Sequence, residues 1–435
     1  MKKFSLIAMG FVLLVGLLTG CGGNANSTKG NDTEPVNKGE GNSGASVTIK
    51  MAISGSEQEQ KLRYETADLF MKDHPNIKIE WVDIGNERYQ KTLTLISGGN
   101  PPDILYINDW TLPLATRGVL MPLDDFIKED HSFNLDEFYP SIIDAYKLDG
   151  KLYGLPQDLS PTVIYYNKDL FDQANLPYPA DDWTQDDFIT AAKKLTNPAK
   201  KQYGFILSTW NTEYDGWMLR NGASLFTPDL KKSAVDSPEA LKALQLLKQI
   251  VVDDHVSPNP AEIQAMGQYD YALFRNRQLA MFSSGLWQLP GFKAEPLPFK
   301  WDVVRMPKQV NQATKAGVLS WSIHKDTKHP KEAWEVLKFF VGHEGMKLVA
   351  KYSMALPASD VKEANQIIID SKFPVNVKAF VDSAPLVNME EFRHPKWSEL
   401  SVAINEQLDR MLIGNQSPED TQKNMFAKMN EIMAE

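Results

Sequence analysis

Two lysines, Lys2 and Lys3, open the chain ahead of an almost wholly apolar run over residues 4–18. The next stretch, 22–46, is dominated by Gly, Asn, Ser, Thr and Lys, with no aromatic side chain. Such a segment cannot offset its ordering entropy by burial, so a flexible tether is expected. Strict alternation starts at Val47, where Val47, Ile49, Met51 and Ile53 interleave with Thr48, Lys50, Ala52 and Ser54, the period of a strand. Leu62, Thr66, Leu69 and Phe70 then recur at helical spacing, and His74-Pro75 ends that helix. Ile77, Ile79 and Trp81 alternate again. Tyr89, Leu93 and Ile96 mark a second helix closed by Gly98-Gly99, and residues 103–107 read as a short buried strand. The order β-α-β-α-β predicts a mainly parallel sheet with right-handed crossovers.

The remainder keeps this mixed α/β character. Residues 163–166, 203–207, 279–282, 301–304 and 317–323 read as strands. Thr184-Gln185-Asp186-Asp187 is a capping box, and Ser417-Pro418-Glu419-Asp420 adds proline at the first helical position. Ser237-Pro238 opens a helix with an apolar stripe of Leu241, Leu244, Leu247 and Val251; Pro330 opens another through Ala333, Leu337 and Phe340. After Pro357 the chain is expected to be mainly helical. No internal repeat is visible.

The leader changes the picture of where this body resides. A positive start, a short apolar core and Leu18-Thr19-Gly20-Cys21 together read as a secretory signal ending in a lipoprotein box. Cys21 is the single cysteine of 435 residues, which excludes an internal disulfide and fits lipidation at that position. Loss of residues 1–20 removes Lys2 and Lys3, leaving 44 basic against 56 acidic side chains and moving the formal charge from −10 to −12. Such a balance is poorly suited to wrapping nucleic acid. No later stretch reaches the roughly 20 apolar residues of a membrane span. The expected location is the outer face of the cell membrane, lipid-anchored, on a Gram-positive cell. At 43% hydrophobic and 10% aromatic, the body is long enough for two or more lobes.

Catalytic motifs are poorly represented. There is no Gly-x-Ser-x-Gly elbow and no phosphate-binding loop ending in Lys-Ser or Lys-Thr. His343-Glu344-Gly345-Met346-Lys347 approaches a zinc-protease pattern, but lysine stands where the second histidine ligand belongs. No metal and no cofactor is expected. The adjacent acidic pairs Asp124-Asp125, Asp181-Asp182, Asp186-Asp187 and Glu390-Glu391 diverge on strand or helix, and most of them read as solvated surface. Aromatic residues in polar loops after strands are more informative. Asn108-Asp109-Trp110, Trp210-Asn211 and Gly285-Leu286-Trp287 each follow an expected strand. A sugar offers apolar C–H faces and a ring of hydroxyls, so its receptor needs flat aromatic surfaces beside a few fixed polar groups. Strand ends are where open α/β sheets bind ligands.

Several motifs in series carry a family resemblance. They are Gly98-Gly99-Asn100-Pro101-Pro102-Asp103, then Asp149-Gly150-Lys151-Leu152-Tyr153-Gly154-Leu155-Pro156, then Tyr166-Asn167-Lys168-Asp169-Leu170-Phe171. Trp183-Thr184, Leu279-Ala280-Met281 with Gly285-Leu286-Trp287, and His329-Pro330-Lys331-Glu332-Ala333-Trp334 follow. In this order, behind a lipobox and tether, the chain resembles the bacterial extracellular solute-binding proteins that include the maltodextrin-binding protein. That resemblance implies a two-lobed periplasmic-binding-protein-like fold, each lobe a mainly parallel sheet flanked by helices, with discontinuous domains joined by a hinge. The implied division is 1–20 signal peptide, 21–46 lipidated cysteine and tether, 47–157 and 319–357 lobe 1, and 158–318 and 358–435 lobe 2. Crossings are placed near 157–160, 317–320 and 357–359.

The resemblance also implies site roles. Trp287 takes an aromatic stacking position, and the loop 54–57 with Glu57 supplies polar contacts. Asp109 and Trp110 match a ligand-facing loop of the first lobe, Asp158 an acidic acceptor at a crossing, and Trp210 with Asn211 the second lobe's wall. Trp321 at another crossing and Arg393, near Trp397, complete the set. The function implied is a monomeric, non-enzymatic binding protein of an ABC importer. It would capture a carbohydrate, an oligosaccharide in particular, between its lobes and deliver it to the membrane subunits. Two other readings are a secreted glycan hydrolase, separated by the appearance of new reducing ends, and a surface sensor on the same fold.

Overall fold

The computed structural model describes residues 46–107, 110–207, 213–268 and 270–434. Cys21, the leader and most of the tether lie outside the described residues, as do Asp109, Trp210 and Asn211.

β1 (Val47–Ile53), α1 (Glu57–Asp73) and β2 (Ile77–Asp83) form the first crossover unit. β1 and β2 run parallel in register from Val47–Ile77 to Ile53–Asp83, so the alternation read in both segments turns matching faces inward. Ser56 starts α1 through a capping box with Glu59, satisfying donors at the helix start. α2 (Arg88–Ser97) leads to β3 (Ile104–Ile107), which pairs in parallel on the other side of β1. Asp103, just before β3, accepts from Lys50 N at 2.8 Å and from Thr327 Oγ1 at 2.6 Å. α3 (Thr111–Thr116) follows, and β4 (Lys147–Leu148) with β5 (Lys151–Leu152) makes a small hairpin.

β6 (Leu155–Pro161), β10 (Ala316–Ile323) and β11 (Leu356–Pro357) complete a six-stranded sheet of order β11-β6-β10-β3-β1-β2. β10 runs antiparallel to both β3 and β6, a pairing that no local pattern in the sequence announces. The second sheet has order β8-β7-β9, from β7 (Val163–Asn167), β8 (Met281–Ser284) and β9 (Trp301–Val304). Here β7 is antiparallel to both neighbours, which departs from the mainly parallel sheet expected for that half. Parallel pairing in this half is confined, among the described residues, to isolated bridges such as Tyr203–Leu279 and Thr184–Lys308; residues 203–207, expected as a strand, otherwise form irregular chain. The helix starts read at Thr184, Ser237, Pro330 and Ser417 are all observed, and the chain beyond Pro357 is mainly helical.

Only Thr162 separates β6 from β7, so this strand pair carries the chain directly from one sheet to the other. Beside it, Thr162 N donates to Lys315 O at 2.8 Å, and Thr314 Oγ1 donates to Thr162 O at 2.7 Å. One apolar cluster is continuous across this passage, from Ile49 and Tyr106 through Leu159 and Leu319 to Val163 and Tyr165. A second cluster packs Trp217, Phe188 and Leu244 beneath the long C-terminal helices Trp397–Leu412 and Pro418–Ala434. No described helix is long and apolar enough to cross a membrane.

Candidate ligand-binding site

Parallel pairing brings the carboxyl ends of β1 and β3 side by side, and a polar cluster is assembled there. Ser54, the residue after β1, is fully buried; its Oγ donates to Gly85 O at 2.5 Å and accepts from Arg88 Nε at 3.0 Å. Arg63, on the first turns of α1, is buried too. Its Nη1 donates to Ser54 O at 2.7 Å and its Nη2 to Tyr106 Oη at 3.2 Å. Both guanidinium carbons lie within cation–π range of the Tyr106 ring, at 4.7 Å for Arg63 and 5.1 Å for Arg88. Burial pushes the Tyr106 hydroxyl up in pKa, so it stays a neutral donor.

Asp158 joins this cluster from β6. The β6–β10 register shifts between Leu319 and Ser320, which leaves Gln157 as an extra residue on β6. A bulge of this kind re-aims the neighbouring side chains. Gln157 turns into the core, where its Oε1 accepts from Trp321 Nε1 at 2.9 Å and its Nε2 donates to Phe340 O at 3.2 Å. Asp158 instead accepts from Leu319 N at 2.9 Å. Burial pushes its carboxyl up to about 7, against the pull of Arg63 and the backbone N–H. A half-buried carboxyl of that kind changes charge near neutral pH.

Trp287 packs on two of the same strands, β6 and β10, near Ser160 and Gly317. It follows β8 in the Leu286–Gln288 turn, and 38% of its surface is exposed. Leu286 N donates to Ser160 Oγ at 2.7 Å and Tyr165 Oη donates to Gly285 O at 2.7 Å, which fixes the turn. The indole therefore offers a broad apolar surface from a rigid mount. Trp110 is half-buried at the start of α3, its ring tilted 46° to Tyr89 at 5.0 Å. Glu57 is exposed at the first position of α1, and Arg393 is half-buried in the turn Glu390–Arg393.

Trp321 is a correction. Its exposure is 0%, and it packs edge-on against Tyr106 at 5.3 Å and Phe340 at 5.7 Å. A central strand covered on both faces leaves this ring no route to a ligand, so Trp321 backs the wall that Tyr106 belongs to. Trp397 is likewise core, buried with Leu400 and Ile404.

A buried ionic hub lies at the start of β10. Lys315, at the base of β10, pairs with Asp215 at 3.1 Å and with Glu391 at closer range. Burial pushes Asp215 up and Glu391 up to about 8, opposed by Lys315; burial pulls Lys315 down, but the two carboxylates outweigh it and its pKa rises. Arg220, fully buried on the helix Glu213–Arg220, packs over Trp217 at 4.3 Å and is pushed down to about 9 by burial. Arg63, Arg88, Tyr106, Ser160, Gly317 and this hub were missed by sequence reasoning. Glu390-Glu391, one of the acidic pairs read mostly as solvated surface, has its second member fully buried. A charged residue on a helix or turn reads as solvent-facing unless its partner is known, and Lys315 lies 100 positions from Asp215 and 76 from Glu391. Among the described residues no group of three or more His, Cys, Asp or Glu side chains is arranged to hold a metal ion.

Comparison with known proteins matches this architecture. The family model described as bacterial extracellular solute-binding protein matches residues 54–347. An ABC substrate-binding protein from Listeria monocytogenes, solved in complex with cycloalternan, superposes with a TM-score of 0.80 at 31% identity, covering 89% of this chain and 99% of that one. The arabinooligosaccharide-binding protein of Bacillus subtilis is 24% identical over 365 residues, 79% of this chain and 77% of its own length. A putative binding protein of Brucella abortus is 25% identical over 390 residues, 85% of this chain and 89% of its own. With the six-stranded sheet handing its strands to a second sheet and the matched region spanning most of the chain, this protein belongs to the bacterial extracellular solute-binding protein family, with its two-lobed periplasmic-binding-protein-like fold.

Proposed function

We propose that this protein is the lipid-anchored binding subunit of an ABC importer, and that it captures an oligosaccharide between two hinged lobes. Lobe 1 is residues 47–157 with 319–357, and lobe 2 is 158–318 with 358–435. Cys21 carries the lipid, and residues 22–46 give reach above the membrane surface. The monomer delivers its cargo to the importer's membrane subunits and performs no turnover.

The observation that carries this reading is the exposed Trp287 indole, mounted on the turn that hydrogen-bonds to β6. An open indole on rigid backing suits the apolar face of a pyranose, while Asp158 and Arg88 suit its hydroxyls. The ligands named for the Listeria and Bacillus relatives, cycloalternan and arabino-oligosaccharides, support an oligosaccharide over other solutes. Glu57, Asp109, Trp110, Trp210, Asn211 and Arg393 complete the proposed lining.

Thermal unfolding in the presence of cycloalternan, maltodextrins and arabino-oligosaccharides tests it. A true ligand at a hundred times its dissociation constant adds about 2.7 kcal/mol of stability. The reading fails if no sugar raises the melting temperature, or if new reducing ends accumulate during incubation.

A further inference from the structure

Gly317 is the exposed residue of β10, whose other positions from Val318 onward are buried. Glycine inside a strand weakens it, so its presence points to a close approach. The approach is made by Trp287. A Cβ on Gly317 would lie 2.9 Å from Trp287 Cζ3, 3.5 Å from Cη2 and 3.6 Å from Cε3. A Cβ on Gly285 would collide with the same ring edge and with Ser160 Oγ. Ser160 is the partner of Gly317 across the β6–β10 ladder, and its hydroxyl also holds Leu286 N. The benzo edge of the indole thus sits in a slot whose floor is bare backbone of one crossing strand and whose side is a hydroxyl of the other.

We propose that Gly317 is a positioning residue: its missing side chain lets the Trp287 indole rest on β10 and sets the tilt of the platform on which a sugar ring stacks. The seat also indexes the ring to the strands that join the two sheets. The stacking part rests on the carbohydrate-binding reading above. The contact is with the far end of a side chain that has two free torsions, so Gly317→Ala displaces the ring without unfolding the protein. Alanine also suits a strand better than glycine.

The test uses the full chain labelled with fluorotryptophan, in which the fluorine resonance of Trp287 is identified by its loss in Trp287→Phe. Without ligand, Gly317→Ala is expected to move that resonance and to leave the melting temperature at or above wild type. By calorimetry with cycloalternan, Gly317→Ala is expected to bind about 10-fold more weakly, whereas adding it to Trp287→Ala changes affinity less than about 2-fold. A merely structural role would cost the same in both backgrounds, and that outcome overturns the proposal. So does an unmoved Trp287 resonance, or full affinity in Gly317→Ala. If no sugar binds the wild type, the carbohydrate reading fails, while the resonance still decides whether Gly317 seats the ring.

Discussion

Trp287 leaves 38% of its surface open above the crossing strands, whereas Trp321 is sealed between Tyr106 and Phe340 with its Nε1 held by Gln157. Their substitutions should separate accordingly. Trp321→Ala removes a fully packed ring and should cost about 3–5 kcal/mol of stability in urea unfolding. Trp287→Ala should cost less, about 1–2 kcal/mol of ligand-free stability, because 38% of its surface is already exposed, and should abolish most of the sugar-induced thermal shift. A normal shift in Trp287→Ala would remove that residue from the site. Asp158 gives a pH signature. Its carboxyl is raised from 3.8 to about 7 by burial, so the folded state holds a proton that the unfolded state releases. Its stabilising contribution is complete below about pH 4 and is lost as pH rises through 7. Asp158→Asn keeps an oxygen for Leu319 N and does not titrate. The stability of wild type relative to Asp158→Asn should therefore fall by roughly 2 kcal/mol or more between pH 5 and pH 8, measured by urea unfolding. A pH-independent difference would contradict the shift. At this scale the sequence was only partly legible: Trp287 follows an expected strand and Trp321 lies inside one, but neither the glycine-floored seat of the first nor the sealed pocket of the second can be read without partners far along the chain.

Elements were more readable than residues wherever the signal is local. The alternation of 47–53, the Thr184–Asp187 box and the proline-led helices appear as read, because each depends on neighbours within a few positions. The misreadings concern pairing at long range. β10 lies antiparallel between β3 and β6, and β7 is antiparallel to both its neighbours, arrangements set by strands more than 100 residues apart. The Lys315 hub belongs to the same class. It ties the base of β10 to the helix Glu213–Arg220 through Asp215 and to the turn Glu390–Arg393 through Glu391. Lys315→Met should destabilise by about 3–5 kcal/mol at pH 8, since two buried carboxylates lose that cation. The deficit should shrink toward pH 5 as they protonate, because burial already holds both above the usual range. Urea unfolding at the two pH values checks this; an equal loss at both would mean that packing, not charge, is what Lys315 contributes.

For the whole molecule, the order of strands supplies the link between binding and lobe closure that the proposed function requires. β6 and β10 belong to the first sheet, yet they seat Trp287, whose turn extends from the second. On the proposed reading, a guest that stacks on this ring while bonding to Asp158 and Arg88 would touch both halves and favour their closed arrangement by its differential affinity. The two-lobed class was legible because motif order along the chain survives even where single motifs are weak. Small-angle X-ray scattering, with calorimetry confirming occupancy, tests this account most directly. Saturation with a binding sugar should shrink the radius of gyration of wild type, and superimposable curves for the free and fully occupied protein would contradict it.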